Sequence, residues 1–155
     1  MRLTMIKQKV YLDTTVPSAY FDLRTPDRQN LTKQFWSERL PEFEPMISTI
    51  VLSEIQDTPD IELRKNMAKL VREFTILESN EEADNLALEY IRREIFPEKQ
   101  TPDANHVAIA VVYGIGYFAS WNFKHLVKVK TRREINLINA LMGYDSIEIV
   151  APPEL

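Results

Sequence analysis

The sequence contains no cysteine, only three glycines and only two histidines among its 155 residues. Without cysteine the chain has no disulfides, no thiolate metal ligands and no cysteine nucleophile, a composition that suits a reducing compartment. Two histidines are too few for a three-histidine metal site, so any metal would be bound through oxygen. Three glycines cannot form a glycine-rich phosphate loop, which argues against a nucleotide-binding or phosphoryl-transfer domain.

Long hydrophobic runs are also missing. The longest covers residues 107–115, whereas a transmembrane helix needs about 20 apolar residues. Residues 1–10 carry scattered charges and no apolar segment, unlike a signal peptide. The sequence therefore predicts a cytoplasmic protein that does not associate with membranes.

The residues that are present are typical of one globular domain spanning residues 1–155. Hydrophobic residues make up 45% of the chain and charged residues 27%, and domains commonly contain about 100–150 residues. The formal net charge is −4, from 19 basic and 23 acidic residues. Over the whole chain this balance argues against nucleic-acid binding, because phosphates require local positive charge.

Short apolar segments alternate with longer helical patterns along the chain. The apolar segments predict strands at residues 10–12, 45–48, 75–77, 117–120 and 147–150. The helical patterns predict helices at residues 17–21, 27–40, 49–57, 61–74, 81–95, 102–113 and 131–142. Continuously apolar strands separated by helices are typical of a parallel sheet that is covered on both faces. We therefore predict a three-layer α/β/α fold with a central, mostly parallel sheet.

Four polar residues stand at positions where such a fold places its chemistry. Asp13 and Asn122 follow predicted strands, and sites in parallel α/β folds lie outside the carboxyl ends of the strands. Glu54 lies in an apolar helical turn, and Asp103 begins an apolar helix. Carboxylates in apolar surroundings are costly unless a positive charge compensates them. A divalent cation would do so, and oxygen ligands favour Mg²⁺ or Mn²⁺.

Each of these residues also has a simpler structural explanation. Asp13 and Asp103 are placed to cap helices or to complement a helix dipole. Glu54 suits a partly exposed helix surface, and Asn122 suits a turn. Their joint placement in one sheet topology favours the metal site.

Four segments of the chain resemble, in order and spacing, the motifs of PIN-domain ribonucleases, a family that includes the VapC-like toxins of toxin–antitoxin pairs. The segments are 11–15 (YLDTT), 50–55 (IVLSEI), 103–110 (DANHVAIA) and 120–126 (SWNFKHL). The resemblance covers nearly the whole chain and implies a single PIN-like domain.

The resemblance also implies roles for individual residues. The implied catalytic and metal-binding residues are Asp13, Glu54, Asp103 and Asn122. Ser120 and Asn122 lie on a motif that often reads Thr/Ser-x-Asp in the family, so Asn122 departs from it as an uncharged amide. Its oxygen would still bind a cation or a metal-bound water, and we expect one tightly held cation and a second one recruited with the substrate. Thr14 matches the small hydroxyl residue that follows the first acid and would hydrogen-bond a ligand or a phosphate, so Thr14 and Ser120 are the implied supporting residues.

The activity that the resemblance implies is hydrolysis of RNA phosphodiester bonds by water that Mg²⁺ or Mn²⁺ activates. It further implies the toxin role, an antitoxin partner and a homodimer, for which Phe35, Trp36 and Phe43 are candidate contacts. The uncharged Asn122 leaves open a second interpretation, a PIN-like module that binds RNA or protein without effective catalysis.

The stretch that follows Asn122 is basic. It contains no acidic residue between positions 124 and 133, and Trp121 and Phe123 lie beside it. Basic and aromatic side chains together bind phosphates and stack unpaired bases, although a charged run is also typical of a solvated loop and helix start. The predicted RNA-binding residues are Lys124, Lys128, Lys130, Arg132 and Arg133.

The two histidines have less specific interpretations. His106 lies three residues after Asp103 on the same helical face, within reach for a general base. A buried histidine bonded to a backbone carbonyl is the alternative that we favour. His125 lies in the basic stretch, where it either contacts a phosphate or is an ordinary surface residue.

Overall fold

The computed structural model describes residues 6–155. Residues 1–5, which belong to the segment predicted not to be a signal peptide, lie outside the described residues. Within the described range the strands are β1 (Gln8–Leu12), β2 (Phe43–Ser48), β3 (Thr75–Leu77), β4 (Tyr117–Ala119) and β5 (Glu148–Val150). The helices are α1 (Thr15–Tyr20), α2 (Pro26–Glu38), α3 (Thr49–Gln56), α4 (Ile61–Leu70), α5 (Glu81–Arg92), α6 (Thr101–Val112) and α7 (Val129–Leu141). Short 3₁₀ turns lie at Leu40–Glu42, Glu98–Gln100 and Pro152–Glu154.

The strands form one parallel sheet in the order β3-β2-β1-β4-β5. Tyr11 of the central strand β1 pairs with Met46 of β2 on one side and with Phe118 of β4 on the other. Successive side chains of a strand point to opposite faces of the sheet. Since Val10, Tyr11 and Leu12 are all fully buried, both faces of the sheet are covered. The predicted three-layer α/β/α fold with a parallel sheet is confirmed.

The order of the strands reverses at β1. The strands β2 and β3 lie on one side of it, and β4 and β5 lie on the other. In open α/β sheets, binding sites lie outside the carboxyl ends of the strands at this switch point. Asp13 directly follows β1 and Ser120 directly follows β4, so the topology brings these two predicted site residues to the same edge.

Helix α6 lies deep in the core. Its central residues Val107, Ala108, Ile109 and Ala110 are fully buried, and it packs mainly against α5. Removing a side chain of the size of Val107 from water contributes about 1.5–3 kcal/mol, which holds the helix that carries Asp103 firmly in place. Within residues 6–155, no helix combines the length and the apolar character needed to cross a membrane.

Helices α4 and α5 end earlier than the sequence pattern predicts, at Leu70 and Arg92 rather than at residues 74 and 95. At the end of α5 the backbone of Glu94 has a φ of 62°, in the left-handed region. The N–H of Ile95 donates to the carbonyl of Tyr90 at 3.0 Å, which is the pattern of a Schellman motif. Glycine normally occupies the left-handed position of this motif, so the glutamate there gave no sequence signal for the helix end.

Candidate functional site

Asp13 is a buried carboxylate at the carboxyl end of β1, with 3% of its surface exposed. Its Oδ1 accepts the backbone N–H of Thr15 at 3.1 Å and also the Thr15 hydroxyl. Its Oδ2 accepts the hydroxyl of Ser120 at 2.6 Å. The contact with the Thr15 N–H closes a turn just before α1, whose N-cap is Thr14, while Ser120 ties the other oxygen to the end of β4. Both oxygens therefore have fixed directions.

The acidic side chains at this edge influence one another's ionisation. Burial raises the pKa of Asp13 from 3.8 to about 6, because the ionised carboxylate loses its hydration. The nearby His106 and the hydrogen bonds to the carboxylate lower this pKa, and the charge of Asp103 raises it further. Burial also raises the pKa of Asp103, and Glu54 acts in the same direction. The structure thus places Asp13 within electrostatic range of Asp103, and Asp103 within range of Glu54.

Asn122 connects Asp103 to Ser120. Its side-chain N–H donates to Oδ2 of Asp103 at a long 3.4 Å, and its backbone N–H donates to the Ser120 hydroxyl oxygen at 3.0 Å. Its side-chain oxygen accepts the backbone N–H of His125 at 2.9 Å. Asn122 therefore faces Asp103 with a hydrogen-bond donor, and its oxygen holds the loop that follows.

Glu54 projects from α3 and meets His106. The Nε2 atom of His106 lies 2.5 Å from Oε1 of Glu54, whose side chain is 40% exposed. The other ring nitrogen, Nδ1, lies 2.6 Å from the Tyr11 hydroxyl. His106 is buried, as predicted, but its partners are two side chains and not a backbone carbonyl. Because both ring nitrogens are engaged, His106 has no free nitrogen with which to act as a general base.

Two threonines next to Asp13 behave differently. Thr15, which the sequence reasoning missed, accepts the backbone N–H of Trp121 at 2.9 Å while donating to Asp13. An aspartate that accepts the backbone N–H two residues later is a known turn pattern, but that pattern does not single out the hydroxyl of Thr15. The buried hydroxyl of Thr14 has no hydrogen-bond partner within residues 6–155. Thr14 thus provides an unsatisfied oxygen directly beside the buried acid.

The side chains at this edge carry oxygen atoms of the kind that bind divalent cations. Asp13 and Asp103 offer carboxylate oxygens, the ligands that Mg²⁺ and Mn²⁺ prefer. A cation would compensate the burial, and the smaller charge repulsion, that raise their pKa values. In the described part of the chain, no three acidic or histidine side chains are gathered into a ready ligand group, and Glu54 is bonded to His106.

The basic stretch begins at the same edge, in the loop after β4. The carbonyl of Asn122 accepts the backbone N–H groups of Leu126 and Val127, which turns this loop towards α7. Arg132 is partly buried and donates to the carbonyl of Ile149 at 3.2 Å, so it also anchors α7 to β5. The remaining predicted RNA-binding side chains are exposed, namely Lys124, Lys128, Lys130 and Arg133.

An arginine from α2 stacks on the aromatic residues beside this loop. The guanidinium of Arg28 lies 5.0 Å from the centre of the Trp121 ring and 5.7 Å from that of Phe123. The indole N–H of Trp121 donates to the Thr32 hydroxyl at 2.9 Å, which fixes that ring. Phe123 is 46% exposed. Sequence reasoning missed Arg28 because it lies far from the basic stretch along the chain.

Two solved structures illustrate the similarity of this fold to known proteins. The chain matches the crystal structure of VapC20 from Mycobacterium tuberculosis, a Sarcin-Ricin loop cleaving toxin, with a TM-score of 0.55 and 18% identity over 70% of this chain and 86% of that one. It matches VapBC2 from Rickettsia felis, bound to a DNA fragment from their promoter, with a TM-score of 0.52 and 13% identity over 76% of this chain and 90% of that one. No protein-family model and no curated protein sequence matches the chain. At these identities the likeness shows the fold.

Proposed function

Because the chain has the PIN-domain fold of VapC-like proteins, we propose that it is an endoribonuclease that depends on Mg²⁺ or Mn²⁺. The observation that carries this proposal is the pair of Asp13 and Asp103, two carboxylates with raised pKa values at the switch-point edge of the sheet. Glu54 and Asn122 complete the proposed catalytic and metal-binding group. The cleaved bond would be an RNA phosphodiester.

The proposed chemistry needs no nucleophilic side chain. A divalent cation at such a site lowers the pKa of bound water and neutralises the charge that develops on the phosphate. Asp13 would contribute an oxygen that Ser120 and Thr15 hold in place. Asp103 would be supported by the Asn122 amide.

Substrate binding would use the basic side chains at the same edge. Lys124, Lys128, Lys130 and Arg133 are exposed for contacts with phosphates, and Arg132 would add its charge while it anchors α7. Arg28 and the exposed ring of Phe123 form a platform on which an unpaired base would stack, because such stacking depends on flat π surfaces and not on base identity. An unpaired RNA segment is therefore the expected substrate.

The test is cleavage of single-stranded RNA by Asp103→Asn. This change keeps the shape of the side chain and removes its charge, so we expect cleavage in Mg²⁺ or Mn²⁺ to fall by at least about 100-fold while thermal unfolding stays cooperative. Asp145→Asn is the matched control, because Asp145 is exposed in the loop before β5 at the opposite edge of the sheet. Equal cleavage by the wild type and Asp103→Asn would refute the proposal.

A second candidate function is RNA binding without cleavage. It is favoured by the amide of Asn122, which turns a donor towards Asp103, and by the absence of a ready three-ligand group among residues 6–155. Under this alternative, RNA would bind with strong salt dependence and would stay intact in Mn²⁺.

We also propose, by analogy with the fold, a toxin role with an antitoxin partner and a homodimer. Of the predicted aromatic contacts, Phe35 is wrong, because it is 2% exposed and belongs to the core. Trp36 stacks on Phe74 with ring centres 5.6 Å apart and is partly exposed, as is Phe43. A small neighbouring gene for a DNA-binding protein would support the toxin role.

A further inference from the structure

A chain of hydrogen bonds runs from the core to Glu54 at the proposed active site. It begins at Ser48, whose hydroxyl oxygen accepts the backbone N–H of Ile50 at 3.2 Å and lies 2.7 Å from the Tyr11 hydroxyl. The Tyr11 hydroxyl lies 2.6 Å from Nδ1 of His106, and Nε2 of His106 lies 2.5 Å from Oε1 of Glu54. These hydrogen bonds therefore link β1, β2, α6 and α3.

The two ends of this chain fix the direction of its hydrogen bonds. The carboxylate of Glu54 only accepts, so Nε2 of His106 carries a hydrogen. The N–H of Ile50 only donates, so the Ser48 hydroxyl is free to donate to the Tyr11 oxygen. Tyr11 then donates to Nδ1 of His106, which accepts. With this assignment, each polar hydrogen of the Ser48, Tyr11 and His106 side chains has one acceptor. The opposite direction would leave the Ser48 hydroxyl hydrogen without an acceptor among residues 6–155.

The residues of this hydrogen-bond chain become more exposed from Ser48 to Glu54. Ser48 and Tyr11 are fully buried and His106 is 2% exposed, whereas the Glu54 side chain is 40% exposed. The Tyr11 ring is also fixed by stacking on Phe118, with ring centres 5.0 Å apart. Buried polar side chains lose their hydration, and apolar residues of the same shape would fill this space without that loss. The chain therefore adds positional control over Glu54 that packing alone does not give.

We propose that Ser48, Tyr11 and His106 are positioning residues that hold Glu54 for cation binding. They fix Oε1 through the Nε2–H of His106 and leave Oε2 for the cation, since within residues 6–155 no hydrogen bond engages Oε2. Hydrogen bonds of this kind orient ligands and tune metal affinity in metal sites generally. The part of this inference that concerns the cation rests on the proposed function, whereas the hydrogen-bond chain itself does not.

The first measurement determines which ring nitrogen of His106 carries the hydrogen. Nitrogen-15 NMR of the metal-free wild type at neutral pH separates protonated from unprotonated ring nitrogens, and His106→Gln identifies the signals that belong to this residue. We expect a protonated Nε2 and an unprotonated Nδ1 in the wild type. A protonated Nδ1 would overturn the hydrogen-bond chain. Because this measurement is made on the wild type, it does not depend on whether a Tyr11 variant folds.

The second measurement is Mn²⁺ affinity, followed by the electron paramagnetic resonance of free Mn²⁺. Tyr11→Phe keeps the buried ring but removes the donor to His106, so we expect Mn²⁺ binding to weaken about 10-fold. Tyr90→Phe is the matched control, because Tyr90 is equally buried and its hydroxyl donates to Asn139, away from the acids. We expect it to bind Mn²⁺ like the wild type. Unchanged affinity in Tyr11→Phe would overturn the positioning role.

His106 itself gives a rescue test. The amide N–H of a glutamine reaches the place of the imidazole Nε2, so His106→Gln keeps a donor for Glu54, whereas His106→Leu keeps none. We expect His106→Gln to retain at least about fivefold tighter Mn²⁺ binding than His106→Leu, and equal binding would contradict the role. If the wild type binds no Mn²⁺, the metal assignment of the proposed function fails together with the positioning role, while the NMR result still decides the hydrogen-bond chain.

Discussion

At the scale of single residues, Asp13 is a buried carboxylate whose two oxygens both accept hydrogen bonds. Its oxygens accept hydrogen bonds from Thr15 and Ser120, yet burial still raises its pKa to about 6. The hydrogen bonds therefore orient the carboxylate without fully replacing its hydration. A carboxylate held in this way costs stability when it is ionised and gains most from a cation.

The raised pKa of Asp13 predicts how stability depends on pH. Below its ordinary pKa of 3.8, Asp13 is protonated in both the folded and the unfolded chain, and above about 6 the folded chain carries a buried charge. Relative to Asp13→Asn, which does not titrate, the metal-free wild type should lose up to about 3 kcal/mol of unfolding free energy as pH rises through this window. Urea unfolding at pH 4, 5, 6 and 7.5 measures the loss.

Asp145→Asn serves as the control for this comparison, because Asp145 is exposed. Its curve of unfolding free energy against pH should run parallel to that of the wild type. If the Asp13→Asn curve does the same, Asp13 is not destabilised by ionisation and the electrostatic description of the site is wrong.

Only part of the site was predictable from single residues. Asp13, Glu54 and Asp103 could be predicted, because each stands out as an acid beside an apolar segment. The pairing of His106 with Tyr11 and Glu54 could not be predicted, because it depends on how α6 and α3 pack against β1. Arg28 was missed for the same reason: its stacking on Trp121 is a contact between distant parts of the sequence.

At the scale of elements, the strands and helices follow the hydrophobic pattern closely, and their ends do not. Strand β3 lies at the predicted residues 75–77, where the β-branched residues Thr75 and Ile76, which favour strands, precede the buried Leu77. The end of α5 was missed, since Glu94 adopts a left-handed conformation that its residue type does not indicate. Helix α7 begins at Val129, so Lys128 and Lys130 lie on either side of its first residue.

The start of α7 carries a prediction about RNA binding. Lys128→Gln with Lys130→Gln should remove two phosphate contacts, which would weaken binding of single-stranded RNA about 10-fold at low salt. The slope of log affinity against log salt concentration should fall by about 1.4. Filter binding or fluorescence anisotropy over a range of salt concentrations measures both.

The matched control for this pair is Lys7→Gln with Lys9→Gln. These exposed lysines lie just before and within β1, at the amino-terminal edge of the sheet, and their loss changes the net charge equally. We expect the control pair to keep the wild-type slope. Identical slopes for both pairs would show that the RNA does not lie along the start of α7.

At the scale of the whole molecule, the order of the strands explains why distant residues meet. The reversal at β1 places the ends of β1 and β4 side by side, so Asp13 and Ser120, 107 positions apart, share a hydrogen bond. The net charge of −4 does not show how the charges are distributed: Asp13 and Asp103 lie at this edge, and basic side chains follow in the next loop. The overall charge therefore does not by itself exclude the nucleic-acid binding proposed for this edge.

The most direct test of the proposed site is anomalous diffraction from crystals of the wild type grown with Mn²⁺. The acidic group at the ends of β1 and β4 predicts a manganese peak in contact with carboxylate oxygens of Asp13 and Asp103, and no such peak in crystals of Asp103→Asn. A wild-type crystal in saturating Mn²⁺ with no peak at this edge, or with manganese bound only to other acids, would contradict a divalent-cation site there.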